Sequence, residues 1–373
     1  MAPGLKLQLL IPELFQSQGG IQVFSGFLLE AIARIYPRAE IQVCLKHDTQ
    51  ALAPHPQCTY SFAGTFPPKL RTLAYSSQII TRAWRSRPDL IIATHLNFAP
   101  VALGLKRTQA IPYWLIAHGI EAWQISNPLV KTALRYADQI LAVSDFTRDR
   151  LIAAQNLNPA QVQILTNTFD HQRFTLGAKP SHLFAKYQIP SQARIMLTVA
   201  RLDQSEQYKG YDQVIRLMPQ LLRQIPNLHY LIVGKGNDLA RIQALIHSLA
   251  VQDRVTLAGF VPDQDLGAHY QLCDLFIMPS KGEGFGIVFL EALASGKPVI
   301  AGNQDGSVTA LKGGELGILV DPDQPDLLAE AIIQVLTDRY QYDPNQLRQQ
   351  AIANFGFAAF THQLQTHFTQ AGL

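Results

Sequence analysis

Short apolar runs separated by longer stretches of helical period organise this chain. The run at 5–11 has the length of a buried strand. After a loop that reaches Gly19 and Gly20, apolar residues return at helical spacing over 21–35 and stop near Pro37. The same alternation predicts strands at 41–45, 89–93, 113–118 and 139–143. A second series follows at 195–200, 229–233, 255–257, 275–278 and 299–301. Strands that alternate with helices argue for a parallel sheet covered on both faces. Ligands of such sheets gather at the carboxyl ends of the strands. The reading is therefore α/β, with a domain at 1–175, a second at 176–355, and a terminal helical segment at 356–373.

Composition agrees with two domains, since 373 residues are too many for one ordinary core. Hydrophobic residues make up 47% and charged ones 16%, yet no apolar run reaches the roughly 18 to 20 residues of a spanning helix. The N-terminus lacks the charged-then-apolar pattern of a signal peptide, so a cytoplasmic location is expected. Cys44, Cys58 and Cys273 are odd in number and far apart, which suggests neither a disulfide framework nor a zinc site.

The net charge of +3 conceals an asymmetry. Residues 1–175 hold 16 basic and 10 acidic side chains, and the remainder holds 15 and 18. Arg71, Gln78, Arg82 and Arg85 fall on one stripe of a predicted helix that carries Leu70, Leu73, Ala74, Ile80 and Trp84 opposite. This stripe reads either as an ordinary solvated face or as one that attracts anionic lipid or a lipid diphosphate, a peripheral contact of the N-terminal domain with the inner face of the cell membrane. No nucleic-acid partner is expected.

The richest chemistry lies at 280–298. A short strand ends at Pro279 and Ser280, and a loop follows in which Gly282, Gly284 and Gly286 clear side chains from a ligand's path. A helix then starts near Ile287 with its unpaired N–H groups aimed at that loop, a geometry that binds phosphate. Glu283 sits in the loop and Glu291 on the helix, placing one carboxylate at a reacting group and the other at a diol. By themselves, two glutamates eight apart are common helix charges.

Their context, with Gly-Phe-Gly at 284–286 and Ala-Ser-Gly-Lys-Pro at 294–298, resembles the Glu-x7-Glu signature of retaining glycosyltransferases of family 4. The resemblance extends over nearly the whole chain. It implies the GT-B fold: two doubly wound, Rossmann-like parallel-sheet domains facing across a cleft, with the helix at 357–368 crossing back onto the first. It implies catalytic roles for Glu283, His118, Arg201 and Lys209, and donor contacts at Gly19, Gly20, Gly259, Phe260, Val261, Gly284, Phe285, Gly286, Ile287 and Glu291. Arg201 and Lys209 are read as the clamp on the donor diphosphate, although the interval between them is longer than the family's commonest spacing. The segment at 164–174 resembles the family's interdomain connection, with Thr166 and Thr168 in place of the usual proline and glycine.

The activity implied is retaining, metal-independent transfer of a hexose, best matched by UDP-glucose, to a hydroxyl of a glycan or lipid-linked acceptor in exopolysaccharide synthesis. No cofactor or metal is expected. The triplets Asp263-Gln-Asp265 and Asp321-Pro-Asp323 are read as a helix start and a turn rather than a metal-diphosphate site. The alternatives are a nucleotide-sugar epimerase of similar fold and a non-catalytic sugar-nucleotide-binding protein.

Overall fold

A computed structural model describes residues 4–16 and 19–373. The chain forms two compact units, Met1–Thr168 with Phe357–Leu373, and Phe169–Gly356.

The first unit contains β1 (Lys6–Ile11), β2 (Glu40–Leu45), β3 (Cys58–Phe62), β4 (Leu90–Ala93), β5 (Tyr113–Ala117), β6 (Gln139–Ala142) and β7 (Val162–Ile164). They form one sheet in the order β3-β2-β1-β4-β5-β6-β7, with every pair parallel. Helices cover both faces of such a sheet, so central strands read as nearly continuous apolar runs. Leu9, Ile11, Ile92, Leu115 and Ile116 are fully buried accordingly.

The second unit contains β8 (Arg194–Val199), β9 (Leu228–Val233), β10 (Val255–Gly259), β11 (Leu275–Met278), β12 (Val299–Gly302) and β13 (Ile318–Val320). Their order is β10-β9-β8-β11-β12-β13, again all parallel. Both units are thus Rossmann-like. The strands β3, β7 and β13, absent from the sequence expectation, all lie at sheet edges and are only partly buried.

In each sheet the strand order reverses once, between β1 and β4 and between β8 and β11. Loops leaving the two strands at such a reversal run to opposite faces and open a crevice between them, the usual ligand position. In the second unit those loops are the ones after β8 and β11, which carry Arg201, Lys209 and Glu283.

The helix Phe357–Gln370 belongs to the first unit. Phe360 meets Phe24 edge-on at 5.6 Å, and Phe368 packs on Trp114 at 5.0 Å and on Tyr36 at 5.3 Å. His367 joins the Ile164 carbonyl through Nε2 at 2.9 Å and Gln139 through Nδ1 at 3.1 Å. Burial lowers the His367 pKa, which keeps the ring neutral.

The helix Pro68–Ser86 carries the polar stripe expected over 71–85. It buries Tyr75, Ile79 and Ala83. Arg82 donates to the Tyr60 carbonyl at 3.0 Å, Gln78 to the Phe62 carbonyl at 3.3 Å and Arg71 to the Gly64 carbonyl at 3.4 Å. Three of the four polar stripe residues therefore serve the edge strand β3 and the turn after it. An edge strand leaves one row of backbone groups unpaired, and these long side chains reach it. Among the described residues no helix is long and apolar enough to cross a membrane.

Candidate functional site

In the second unit the loop after β8 forms a short 3-10 helix, Gln204–Lys209, whose end Gly210 adopts a left-handed conformation. That turn delivers the Lys209 ammonium to Glu283 at 2.9 Å, and Glu206 reaches the same ammonium at 3.6 Å. Arg201 pairs with the other oxygen of Glu206 at 3.1 Å, but its side chain is 68% exposed against 13% for Lys209. Burial works against a charged Lys209, yet Glu283, Tyr208 and Glu206 outweigh it and hold its pKa above the ordinary lysine range. Lys209 is a mostly buried cation held charged by its partners, whereas Arg201 lies largely in water. The Lys281 N–H donates to the Tyr208 carbonyl at 2.9 Å, tying the two loops together.

The loop after β11 is held from behind by Asp305, which the sequence reading did not single out. Asp305 is almost fully buried and accepts from the Ser280 hydroxyl at 2.7 Å and the Glu283 N–H at 2.8 Å. Its other oxygen accepts from the Ser307 N–H at 2.9 Å, and the Gly306 N–H closes the arrangement on the Glu283 carbonyl at 2.9 Å. Gly306 must be glycine for this approach, because a Cβ there would lie 2.1 Å from the Gly284 carbonyl oxygen. Nothing in the spacing around Asp305, in the loop after β12, sets it apart from an ordinary turn residue.

Asp305→Ala should take the acceptor from the Glu283 and Ser307 amides and leave the Ser280 hydroxyl with Ser307 Oγ alone, at 3.1 Å. The expected cost is about 1–3 kcal/mol, read as a lowered midpoint in urea unfolding. An unchanged midpoint would rule out this bracing role.

The helix Ile287–Ala294 starts at Gly286, whose φ is +89°. A Cβ at that position would meet the Phe289 ring at 2.3 Å, so only glycine gives this entry. The first two N–H groups of this helix have no acceptor within it, while the Phe289 N–H donates to the Gly286 carbonyl at 3.1 Å. One turn on, Glu291 accepts from the Tyr270 hydroxyl at 2.6 Å. Burial pushes its pKa up to about 7, opposed by the Tyr270 bond and by Arg173. Tyr270, also unforeseen, fixes this carboxylate with one oxygen still available. Ile287 is half-buried, and Phe285 turns its ring into the core against Phe355 at 5.6 Å. Phe285 therefore presents its backbone, and not its ring, to the loop.

Gly259, at φ +71° with open space beside it, lets the chain turn at the end of β10. It exposes Phe260 at 57%, with the Lys235 ammonium 4.5 Å from the ring centre, while Val261 is buried. A flat, cation-backed aromatic face is suited to stacking a base. Asp263 and Asp265 begin a helix, and Asp321 accepts from the Asp323 N–H at 2.9 Å within a turn. Among the described residues no group of three or more His, Cys, Asp or Glu side chains is placed to hold a metal ion.

In the first unit His118 follows β5. Its Nε2 lies 3.0 Å from the Thr94 carbonyl, which requires the proton on that nitrogen and leaves Nδ1 as an acceptor. Burial lowers its pKa, opposed by Glu121, so the ring is neutral at pH 7. Glu121 also accepts from the His118 N–H at 2.6 Å, and Phe24 stands edge-on to the ring at 4.9 Å. Gly19 caps the helix Gly20–Ile35 from an extended conformation, and a Cβ on Gly20 would meet nothing within 4 Å.

Residues 181–354, which carry the switch-point loops, match the family model described as glycosyl transferases group 1, and residues 19–173 match the one described as Glycosyltransferase Family 4. The chain belongs to family 4 of the glycosyltransferases. It is similar to the family's GDP-mannose-dependent alpha-(1-6)-phosphatidylinositol monomannoside mannosyltransferase of Mycobacterium tuberculosis, 33% identical over 235 residues. That match covers 60% of this chain and 60% of the relative's length. A D-inositol 3-phosphate glycosyltransferase of Corynebacterium diphtheriae is 28% identical over 64% of this chain and 57% of its own. Among solved structures, sucrose-phosphate synthase from Thermosynechococcus elongatus superposes with a TM-score of 0.77 at 22% identity, covering 98% of this chain and 99% of the other. Anabaena HepE in complex with UDP gives 0.76 at 20% identity, covering 98% and 100%. At these identities the two structures establish the family's GT-B fold, with its pair of parallel-sheet units.

Proposed function

We propose that this protein transfers a hexose from a nucleoside diphosphate sugar to a hydroxyl of a glycan or lipid-linked acceptor, with retention and without a metal. The observation that carries the proposal is the Lys209 ammonium at 2.9 Å from Glu283, at the switch point of the second sheet and before the glycine-gated helix start. A departing diphosphate gains negative charge as the glycosidic bond breaks. Lys209, Arg201 and the first-turn amides after Gly286 supply positive potential where that charge develops. The acceptor hydroxyl attacks from the face the diphosphate leaves, and its proton passes to the leaving phosphate oxygen. Glu283 orients the sugar and Glu291 receives the ribose diol. The backbone of Gly284, Phe285 and Gly286 approaches the phosphates, and Phe260 carries the base. His118, Gly19 and Gly20 are proposed to bind substrate through the first unit.

UDP-glucose is the first donor, the sugar nucleotide that Anabaena HepE also holds in a solved complex. GDP-mannose is the second reading, favoured by the name of the mycobacterial relative. Thermal-shift measurements with UDP, GDP, ADP and dTDP sugars separate them, because ligand at 100 times its dissociation constant adds about 2.7 kcal/mol of stability. Product analysis with labelled donor then distinguishes transfer from epimerisation and from binding alone. A chain that stabilises with a donor but neither transfers nor epimerises is a binding protein, and the proposal fails.

The raised pKa of Glu291 gives a pH test. A diol binds the ionised carboxylate, so nucleotide affinity should fall as pH is lowered through about 7, the value for the ligand-free protein. Glu291→Gln should bind more weakly and lose this slope. Calorimetric titration of UDP and GDP between pH 5.5 and 8.5 reads both effects, and a wild-type slope preserved in the variant would remove Glu291 from the ribose.

A further inference from the structure

The loop between Arg201 and Lys209 brings a carboxylate into the site that the transfer chemistry proposed above leaves without a task. Glu206 has a side chain only 14% exposed. One of its oxygens lies 3.1 Å from the Arg201 guanidinium, and the other lies 3.6 Å from the Lys209 ammonium. Lys209 also meets Glu283 at 2.9 Å, so two cations and two carboxylates cancel in formal charge where a diphosphate is proposed to sit. Glu283 has a second destination in the reacting sugar. Glu206 has its two cations.

The loop is pinned on both sides of Glu206 by bonds that its carboxylate does not make. Asp203 accepts from the Ser205 N–H at 2.9 Å and from the Ser205 hydroxyl at 2.6 Å, and the Gln204 N–H donates to Asn237 Oδ1 at 2.8 Å. At the far end the Gly210 N–H donates to the Gln207 carbonyl at 3.1 Å, beside the bond from Lys281 to the Tyr208 carbonyl. A Cβ on Gly210 would lie 2.5 Å from the Pro279 carbonyl oxygen, so the turn after Lys209 is packed directly on the neighbouring loop. These contacts set the position of Lys209 from the backbone. The Glu206 carboxylate is therefore free to move without carrying the loop with it.

We propose that Glu206 is a built-in competitor of the nucleoside diphosphate: it holds Arg201 and Lys209 between turnovers, gives way to the donor, and returns as the diphosphate leaves. The proposal rests on the donor reading given above. A diphosphate brings at least two negative charges to the same two cations, and like charges forced together in a partly buried site oppose each other. Glu206 must then stay beside the phosphates or swing into water, and either course offsets part of the binding free energy. Affinity for the diphosphate is shared by donor and product, so it does not speed the transfer step, while release limits turnover in many enzymes. A competing anion shortens the stay of the product. The lysine itself stays in place to meet the charge that develops as the glycosidic bond breaks.

The sign of one measurement separates competition from bracing. Calorimetric titration of UDP and of GDP into the full chain, in EDTA, gives the parent affinities. Glu206→Gln keeps the size of the side chain and removes its charge, and it should bind whichever diphosphate the parent binds roughly tenfold more tightly. The gain should shrink as salt is raised. It should also be smaller for UMP or GMP, which lack the outer phosphate, and Glu206→Asp, which keeps the charge, should stay close to the parent. A residue that merely braces Lys209 predicts the opposite sign, so unchanged or weaker diphosphate binding in Glu206→Gln would overturn the proposal. So would an equal gain for monophosphate and diphosphate, or a Glu206→Gln chain whose thermal melt shows it unfolded, since the carboxylate would then be holding the loop. A parent chain that binds neither UDP nor GDP is a separate outcome: it ends the donor reading itself, and this inference with it.

Discussion

Replacing Lys209 by alanine is expected to lower the initial rate about 100- to 1,000-fold with donor in excess, or roughly 2.7 to 4 kcal/mol, the usual loss for one preorganised charge-stabilising group. The geometry makes Lys209 the stronger of the two cations. It is only 13% exposed and sits between two carboxylates that keep it charged, so little reorganisation is needed when the diphosphate leaves. Arg201 has the same formal charge but is 68% exposed, where water weakens its interactions. Arg201→Ala should therefore lose less than Lys209→Ala, and the effects need not add, because both cations share Glu206. Removing the lysine also leaves Glu206 and Glu283 facing each other, so unfolding must be measured alongside rates. Activity should survive EDTA. Loss with chelator and recovery with manganese or magnesium would end the metal-free mechanism, and a near-normal rate in Lys209→Ala would end the clamp.

Glu283→Gln should lose turnover on a similar scale while binding UDP or GDP as well as the parent or better. In the free protein Glu283 occupies the Lys209 ammonium. The neutral amide frees that cation for the diphosphate while giving up the carboxylate proposed to orient the sugar. Glu291→Gln removes no partner of Lys209 and should behave in the opposite way, weakening nucleotide at every donor concentration. Equal loss of nucleotide affinity in the two variants would refute the division of labour. Titration of nucleotide into each variant, beside single-turnover rates, provides both numbers.

These two predictions rest on residues the sequence already exposed, and the reasons are physical. Central strands such as β1, β5, β8 and β11 are covered on both faces, so their apolar runs were visible. β3, β7 and β13 are half-solvated and of three to five residues, and their composition does not differ from that of a loop. Glu283, Glu291, Arg201 and Lys209 stood out because glycines and strand ends framed them. Glu206, Tyr270 and Asp305 did not, since a glutamate in a polar loop, a tyrosine on a helix and an aspartate before Gly306 have no spacing of their own. On the helix Pro68–Ser86 the inward face is Tyr75, Ile79 and Ala83, while Arg71, Gln78 and Arg82 of the polar stripe are half-buried. Periodicity reports that two faces differ, and it does not say which is inside when arginines are needed to satisfy an edge strand.

The helix Phe357–Gln370 completes the first unit from the far end of the chain. On the ribosome this inverts the usual order of folding. The second unit, a continuous segment, has all its residues before the first unit has its last helix. At about 5–20 residues per second, the stretch between Thr168 and Phe357 takes roughly 10 to 40 seconds to make. Through that interval Phe24, Tyr36 and Trp114 await the rings of Phe360 and Phe368. A nascent chain stalled before Phe357 should therefore hold a protease-resistant second unit beside a first unit still open to chaperones.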